Sequence, residues 1–219
     1  MTKYNSQETI FKITSTASTL FISKGYDNTS IQDIINGAGM SKGAIYHHFE
    51  SKEDILQAIL HSHGEDIVKT MHSYLKDNQS LTAKEKLRGV LRKNWGYIES
   101  HQLEDMMLSQ NKNAPFILGA LQVSLKRSAP LIADIMREGE SDGSLSVHYP
   151  EECAAVFFLL INFWCAPILI EGSINDLEKR LKFLQHLMET MGADIVEDEM
   201  IDHILRTYTH VEHDQGGQM

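Results

Sequence analysis

Ser41-Lys42-Gly43-Ala44-Ile45-Tyr46-His47-His48-Phe49 is the stretch whose reading decides the fold. Ser41 is a helix-capping residue type, placed to accept from the orphan N–H groups of the turn it opens. Ile45 and Phe49 then fall four apart, on one side of a helix of barely two turns. The other sides carry Lys42, Gly43, Tyr46, His47 and His48, a set rich in donors and planar rings. Gly43, near the start, lets the backbone approach another surface closely.

Working outward, Ile10, Ile13, Ala17, Leu20 and Phe21 make one apolar face of a first helix, which Gly25 stops at a left-handed cap position. Thr29 or Ser30 caps a second, short helix with Ile31, Ile34, Ile35 and Ala38 as its apolar positions. Asp33 is placed to complete a capping box from Ser30. Gly39 ends that helix and Met40 tucks inward before Ser41. Ser51-Lys52-Glu53-Asp54 is a second capping box, opening a long helix to about Leu75. Two short helices joined by a tight Gly-containing turn and braced by a longer one are the parts of a helix-turn-helix. Helix starts at Ser30, Ser41 and Ser51 offer N–H groups suited to phosphate oxygens.

No strand-like alternation persists anywhere, so the expected fold class is all-α. After a polar linker at Asp77–Thr82, helices are expected at about Ala83–Ser100, Leu103–Gln110, Pro115–Glu138, Glu151–Ile170, Asn175–Met191 and Asp194–His210. Cys153–Ile170 is apolar except for Asn162, and Glu151, Glu152 and Glu171 flank it without the basic bias of a membrane span. It reads as a buried helix.

The net charge of −10 is unevenly spread. Residues 1–52 hold five lysines against four carboxylates, a net of +1, which leaves −11 for the remainder. An acidic body repels phosphate and confines any DNA contact to the head. Met1–Glu8 is polar and unlike a signal peptide. Cys153 and Cys165 lie about 18 Å apart along one helix axis at about 1.5 Å per residue, too far to bridge. They read as reduced, packed thiols of a cytosolic protein, without the electropositive surroundings of a sensing thiol. His61 with Glu65, or His210 with His213, has workable metal spacing, but no third ligand is legible. No nucleophile–base pair is legible either. Neither an enzyme, a metal nor a cofactor is expected.

The runs Gly25-Tyr26-Asp27-Asn28-Thr29-Ser30-Ile31-Gln32-Asp33-Ile34, Ala38–Phe49 and Ser51-Lys52-Glu53-Asp54-Ile55-Leu56 together resemble the tetracycline-repressor (TetR) family of bacterial regulators. The likeness covers about Ile10–Leu60. It implies an all-α homodimer with a helix-turn-helix DNA-binding head at 1–50 and a connecting helix at 51–75. A ligand-binding and dimerisation domain follows at 76–212, then a disordered tail at 213–219. The implied activity is repression at a palindromic double-stranded DNA operator, relieved by a small hydrophobic effector. A ligand-independent factor governed by a protein partner is the rival reading. Carried onto this chain, the resemblance puts Thr29, Ser30 and Gln32 near phosphate and groove edge, and Ser41, Lys42, Gly43, Tyr46, His47 and His48 on the reading surface. Lys52 would hold backbone phosphate. Many members carry Arg where Gln32 stands, and Ile35 replaces a commonly small residue.

Within the body, Trp95, Met106, Met107, Phe116, Leu121 and Phe158 are aromatic or soft enough to line an adaptable pocket. Glu99, Glu104 and Asp105 read as a solvated face. Phe157, Ile161 and Trp164, with Leu177, Leu181, Leu184 and Met188 on the following helix, are the expected four-helix dimer seam. Phe183 and Leu187 lie on an adjoining face.

Overall fold

A computed structural model describes residues 6–98, 114–165 and 172–215, with side chains described except at 94–98 and 207–215. The described residues are all-helical. In chain order they form α1 (Ser6–Lys24), α2 (Ile31–Ala38), α3 (Lys42–Tyr46), α4 (Lys52–Asp77), α5 (Ala83–Ile98) and α6 (Ala114–Val123). A π-helical turn, Ser124–Ser128, joins α6 to α7 (Ala129–Asp142). Then come α8 (Pro150–Leu159), a second π turn (Leu160–Trp164), α9 (Ile174–Thr190) and α10 (Asp198–Gln215). The apolar periodicity of 115–138 and of 151–170 predicts unbroken α-helices, and a π turn interrupts each. Such a turn shifts the bond pattern by one residue without changing composition. Residues 213–215, expected in a tail, belong to α10.

The chain divides into two compact units. One comprises the residues up to Asp66 together with 98–123, the other 67–97 and 124–219. The first, the head, buries Ile13, Ala17 and Phe21 of α1, Ile34 and Ile35 of α2, Ile45 of α3, Phe49, and Ile55, Leu56, Ile59 and Leu60 of α4. Phe116 of α6 is part of the same core. The buried stripe of α1 starts at Thr9 and steps by four residues to Phe21, while Ile10 stays 37% exposed. Gly64 and Gly119 set how closely α4 and α6 pack. A Cβ on Gly64 would stand 2.2 Å from Val123 Cγ1, and one on Gly119 would stand 2.6 Å from Leu60 Cδ1.

The second unit, the body, has a core drawn from the C-terminal part of α4 (Met71) and from α5, α7, α8, α9 and α10. Here the expected dimer seam must be corrected. Phe157, Leu177, Leu181, Leu184 and Met188 are all at most 1% exposed within the single chain and belong to its own core. An i, i+4 apolar ridge shows that a helix face is covered, not by which chain. Ile161 and Trp164 are half-buried and pack on the edge of that core. The outward residues are Phe183, 52% exposed, with Leu159 at 40% and Ile174 at 37%.

Polar contacts pin the ends of the body helices. The first N–H groups of α5, orphaned at a helix start, are taken by Asp142 Oδ2 (from Ala83, 2.8 Å) and Ser144 Oγ (from Lys84, 3.2 Å). Lys84 and Arg88 both pair with Asp194, and Arg88 and Arg92 reach Glu197 at 3.2 and 3.0 Å. Gly192 adopts φ +83°, and its carbonyl accepts from Ser146 N–H at 3.1 Å.

Two stability tests follow from these contacts. A Cβ on Gly192 would lie 1.8 Å from the Ser146 carbonyl oxygen, on top of a left-handed backbone that costs a non-glycine residue roughly 1–3 kcal/mol. Gly192→Ala therefore lowers Tm by roughly 5 °C or more in a calorimetric scan. The bond from Lys84, then the charge of Arg88, holds the Asp194 carboxyl below its usual range. A carboxyl depressed in the folded state contributes stability above its unfolded pKa of about 3.9, and loses it as pH falls through the folded value. Asp194→Asn thus lowers Tm at pH 7, and the gap to the parent chain closes as pH drops below about 4.

Candidate nucleic-acid interface

The candidate reading surface begins with two turns of backbone. Ser30 caps α2: its Oγ accepts from Asp33 N–H at 3.1 Å, and Asp33 Oδ2 takes the Ser30 N–H at 2.9 Å. Bonds from Ser30 and from Lys24, whose ammonium is 2.9 Å away, hold the Asp33 carboxyl well below the ordinary range. Gly39 then turns the chain at φ +62°, where an L side chain is disfavoured. Its N–H and that of Met40 donate back to Asn36 and Ile35 carbonyls, both at 3.2 Å. Ser41 follows in extended conformation and caps α3, its Oγ accepting from Ala44 N–H at 3.2 Å.

α3 is only five residues long, and Ile45 fixes its rotation because that side chain is wholly buried. With Ile45 inward, Ser41, Lys42, Gly43, Tyr46 and His47 are exposed and His48 is half-buried. Tyr46 keeps 43% of its surface in solvent, with the Lys42 ammonium 5.5 Å from its ring centroid. The rings of His47 and His48 meet edge to face at 5.0 Å. The surface therefore presents an ammonium, a phenol and two imidazoles beside a capped helix start. These groups can bond phosphate oxygens and base edges.

Ser30 and Gln32 are exposed at the start of α2. Gln32 Nε2 donates to Asn36 Oδ1 at 3.0 Å, so Asn36 orients it. That partner was legible as an i, i+4 amide pair. Thr29 departs from expectation. It is 1% exposed, and its hydroxyl lies 2.8 Å from the Gly25 carbonyl and 3.2 Å from that of Leu20. Its side chain is spent on closing the α1–α2 turn, not offered to phosphate. Lys52 is half-buried, and its ammonium donates to the Tyr26 carbonyl at 2.6 Å.

At the start of α4, Asp54 Oδ2 accepts from the N–H groups of Glu50 (3.0 Å) and Ser51 (2.9 Å), and Ser51 Oγ accepts from Asp54 N–H (3.1 Å). The first arginine of the chain is Arg88, so lysines are the always-charged basic side chains of residues 1–87.

Of the residues expected to line an effector pocket, three have described side chains. Phe116 and Leu121 sit on α6 in the head unit, where Phe116 is 4% exposed in the head core. Phe158 is 6% exposed in the body core, its ring against Phe157 at 5.6 Å. Met106 and Met107, the Trp95 side chain, and Glu99, Glu104 and Asp105 lie outside the described residues. Cys153 and Cys165 are at most 3% exposed, and burial pushes both thiols up to about 11. Among the described residues, His61 and Glu65 approach to 3.7 Å, and no group of three metal-ligating side chains forms. Among them, too, no helix is long and apolar enough to cross a membrane.

Residues 13–59, which hold this surface, match the family described as bacterial regulatory proteins, tetR family. The HTH-type transcriptional repressor KstR2 of Mycolicibacterium smegmatis is 28% identical over 135 residues, 58% of this chain and 63% of that repressor. The chain thus covers less than two thirds of that relative's length. A TetR-family regulator of Syntrophomonas wolfei has the same fold, with TM-score 0.64 and 22% identity over 86% of this chain and 96% of that one. So has FadR of Bacillus subtilis, solved in complex with stearoyl-CoA, with TM-score 0.60 and 21% identity over 84% of this chain and 98% of that one. This chain therefore carries the tetR-family domain at residues 13–59, on the all-helical fold of TetR-family regulators.

Proposed function

We propose that the chain is a homodimeric cytoplasmic repressor that binds a palindromic operator through α3 and is released by a small hydrophobic effector held in the body. The observation that carries the DNA-binding part is the geometry of α3. Ile45 locks the helix by its buried side, and Lys42, Tyr46 and His47 stand exposed beside the Ser41 cap. A symmetric dimer sets two such helices into successive major-groove faces, about 34 Å apart or somewhat more. Ser30, Gln32, Ser41, Gly43 and His48 complete the contact surface, with Lys42 and His48 toward base edges. The KstR2 relative is named a repressor, and the FadR structure holds an acyl-CoA. The first supports repression here, and the second supports an effector with a long apolar chain.

Dimerisation is supported by the body's outward face. Phe183 of α9 is 52% exposed, and its ring lies 5.4 Å from that of Trp164, edge to face. Leu159 and Ile174 add exposed apolar surface in the same unit. A self-complementary apolar patch suits an isologous two-fold interface. Effector binding would then act by favouring a dimer whose heads are wrongly spaced, since a ligand shifts an equilibrium only through differential affinity.

Tyr46→Ala should weaken binding to the selected operator at least tenfold, about 1.4 kcal/mol, in a gel-shift titration, with the dimer mass unchanged. Unaltered binding overturns the assigned reading surface. Phe183→Glu should convert the dimer to monomer in sedimentation analysis while helical content is retained. A persistent dimer places the interface elsewhere.

A further inference from the structure

Residues 1–60 contain two histidines, His47 and His48, adjacent at the C-terminal end of α3, and the next is His61. Imidazole is the ordinary side chain whose charge changes between pH 5 and 8, a window in which carboxylates and lysines hold theirs. α3 therefore carries the groups through which the head can change charge near neutrality. Lysines and carboxylates give residues 1–52 a net of +1, and protonating both imidazoles raises it to +3.

The two rings are held side by side with their nitrogens unspent. His47 is exposed, His48 is half-buried, and the rings meet edge to face at 5.0 Å. The backbone N–H groups of both residues are used on the Gly43 and Ile45 carbonyls. Among the described residues, neither imidazole has a hydrogen bond or an ion pair.

The charged groups of the adjoining segments have other contacts. Asp33 of α2 holds Ser30 and Lys24, and Asp54 takes the Glu50 and Ser51 N–H groups. Lys52 donates to the Tyr26 carbonyl, and Glu53 bonds the Tyr26 side chain. Lys42 stands near the Tyr46 ring, and Glu50 follows His48 by two residues without pairing to it. Glu8 and Lys12 of α1 have partners other than these rings. No carboxylate of the described residues thus holds either imidazole charged, and charging one ring opposes charging the other.

A ligand that supplies negative charge reverses this balance. A neutral imidazole presents one donor and one acceptor, whereas an imidazolium presents two donors. Phosphate oxygens and the O6 and N7 atoms of guanine are acceptors. We propose that operator binding takes up protons at His47 and His48, so that the chain grips DNA more tightly as pH falls from 8 to 6. This linkage rests on the operator-binding function proposed above and gives that site a pH response.

The probe is the duplex that the wild-type full chain enriches from a randomised pool, titrated at fixed ionic strength. Each proton taken up contributes a slope of about −1 to log K against pH. Between pH 8 and pH 6 the association constant should rise at least tenfold. His47→Gln with His48→Gln keeps polar side chains and removes the titration. Whatever its absolute affinity, the double variant should bind with a flat pH profile.

A flat profile for the wild-type chain overturns the proposal. A slope that survives in the double variant puts the protons on other groups and also overturns it. If the double variant does not fold or bind, the imidazole proton resonances of the wild-type chain decide. Titration midpoints of His47 and His48 that move to higher pH with the duplex carry the linkage, and unmoved midpoints overturn it. A pool that yields no enriched duplex is a different failure, because it overturns the operator-binding reading and the linkage with it.

Discussion

Ile45 buries its whole side chain beneath a helix of five residues, and the candidate reading surface depends on that contact. An isolated helix shorter than about 12–15 residues is marginal in water. α3 therefore exists because the head supplies what it lacks. Ser41 takes an orphan N–H at one end, Gly39 turns the chain into it, and Phe49 anchors the exit. Rotating α3 by one residue, about 100°, would turn Ile45 out of the core. The identity of the exposed residues thus follows from one buried isoleucine. Tyr46 and His47 are outside because Ile45 is inside.

Charge in the head is arranged with similar economy. Lys24 is held by Asp33 and Lys52 by Tyr26, so each of these cations has an intramolecular task. Residues 1–87 contain no arginine, the side chain that most often reads guanine in a bidentate way. Under the proposed function, affinity for DNA would draw on helix starts, lysines and polar rings. The acidic remainder, net −11, discourages the body from lying along a phosphate backbone.

The head was legible because its determinants are local. Capping boxes at Ser30 and Ser51, the Gly39 turn and the i, i+4 apolar steps of α1 and α2 all act within a few residues. What the sequence could not supply was long-range. Phe116 lies in the head core across about sixty positions from Leu56, and nothing in its neighbourhood marks it as a head residue. Lys52 meets a carbonyl rather than a side chain, a partner invisible to residue type. The ridge Leu177, Leu181, Leu184, Met188 was correctly apolar but assigned to the wrong neighbour, since burial within a chain and between chains leave the same pattern. Phe183 falls out of phase with that ridge on α9 and is the residue left exposed.

Under the function proposed above, the chain links that cross between the two units constrain how an effector can act. α4 runs through the boundary as one helix, Lys52–Asp77, and α6 passes into α7 through the π turn at Ser124–Ser128 without an intervening loop. A loop absorbs displacement, whereas a hydrogen-bonded helix conveys it along its axis. A π turn lies between these extremes, because moving one bond register alters helix phase without breaking the segment. The buried thiols Cys153 and Cys165, held above the range where thiolate forms readily, are poorly suited to covalent sensing. Under that function a signal would be one of packing, and within the head it would meet α4 and α6, whose own contact leaves no room for a Cβ on Gly64 or Gly119.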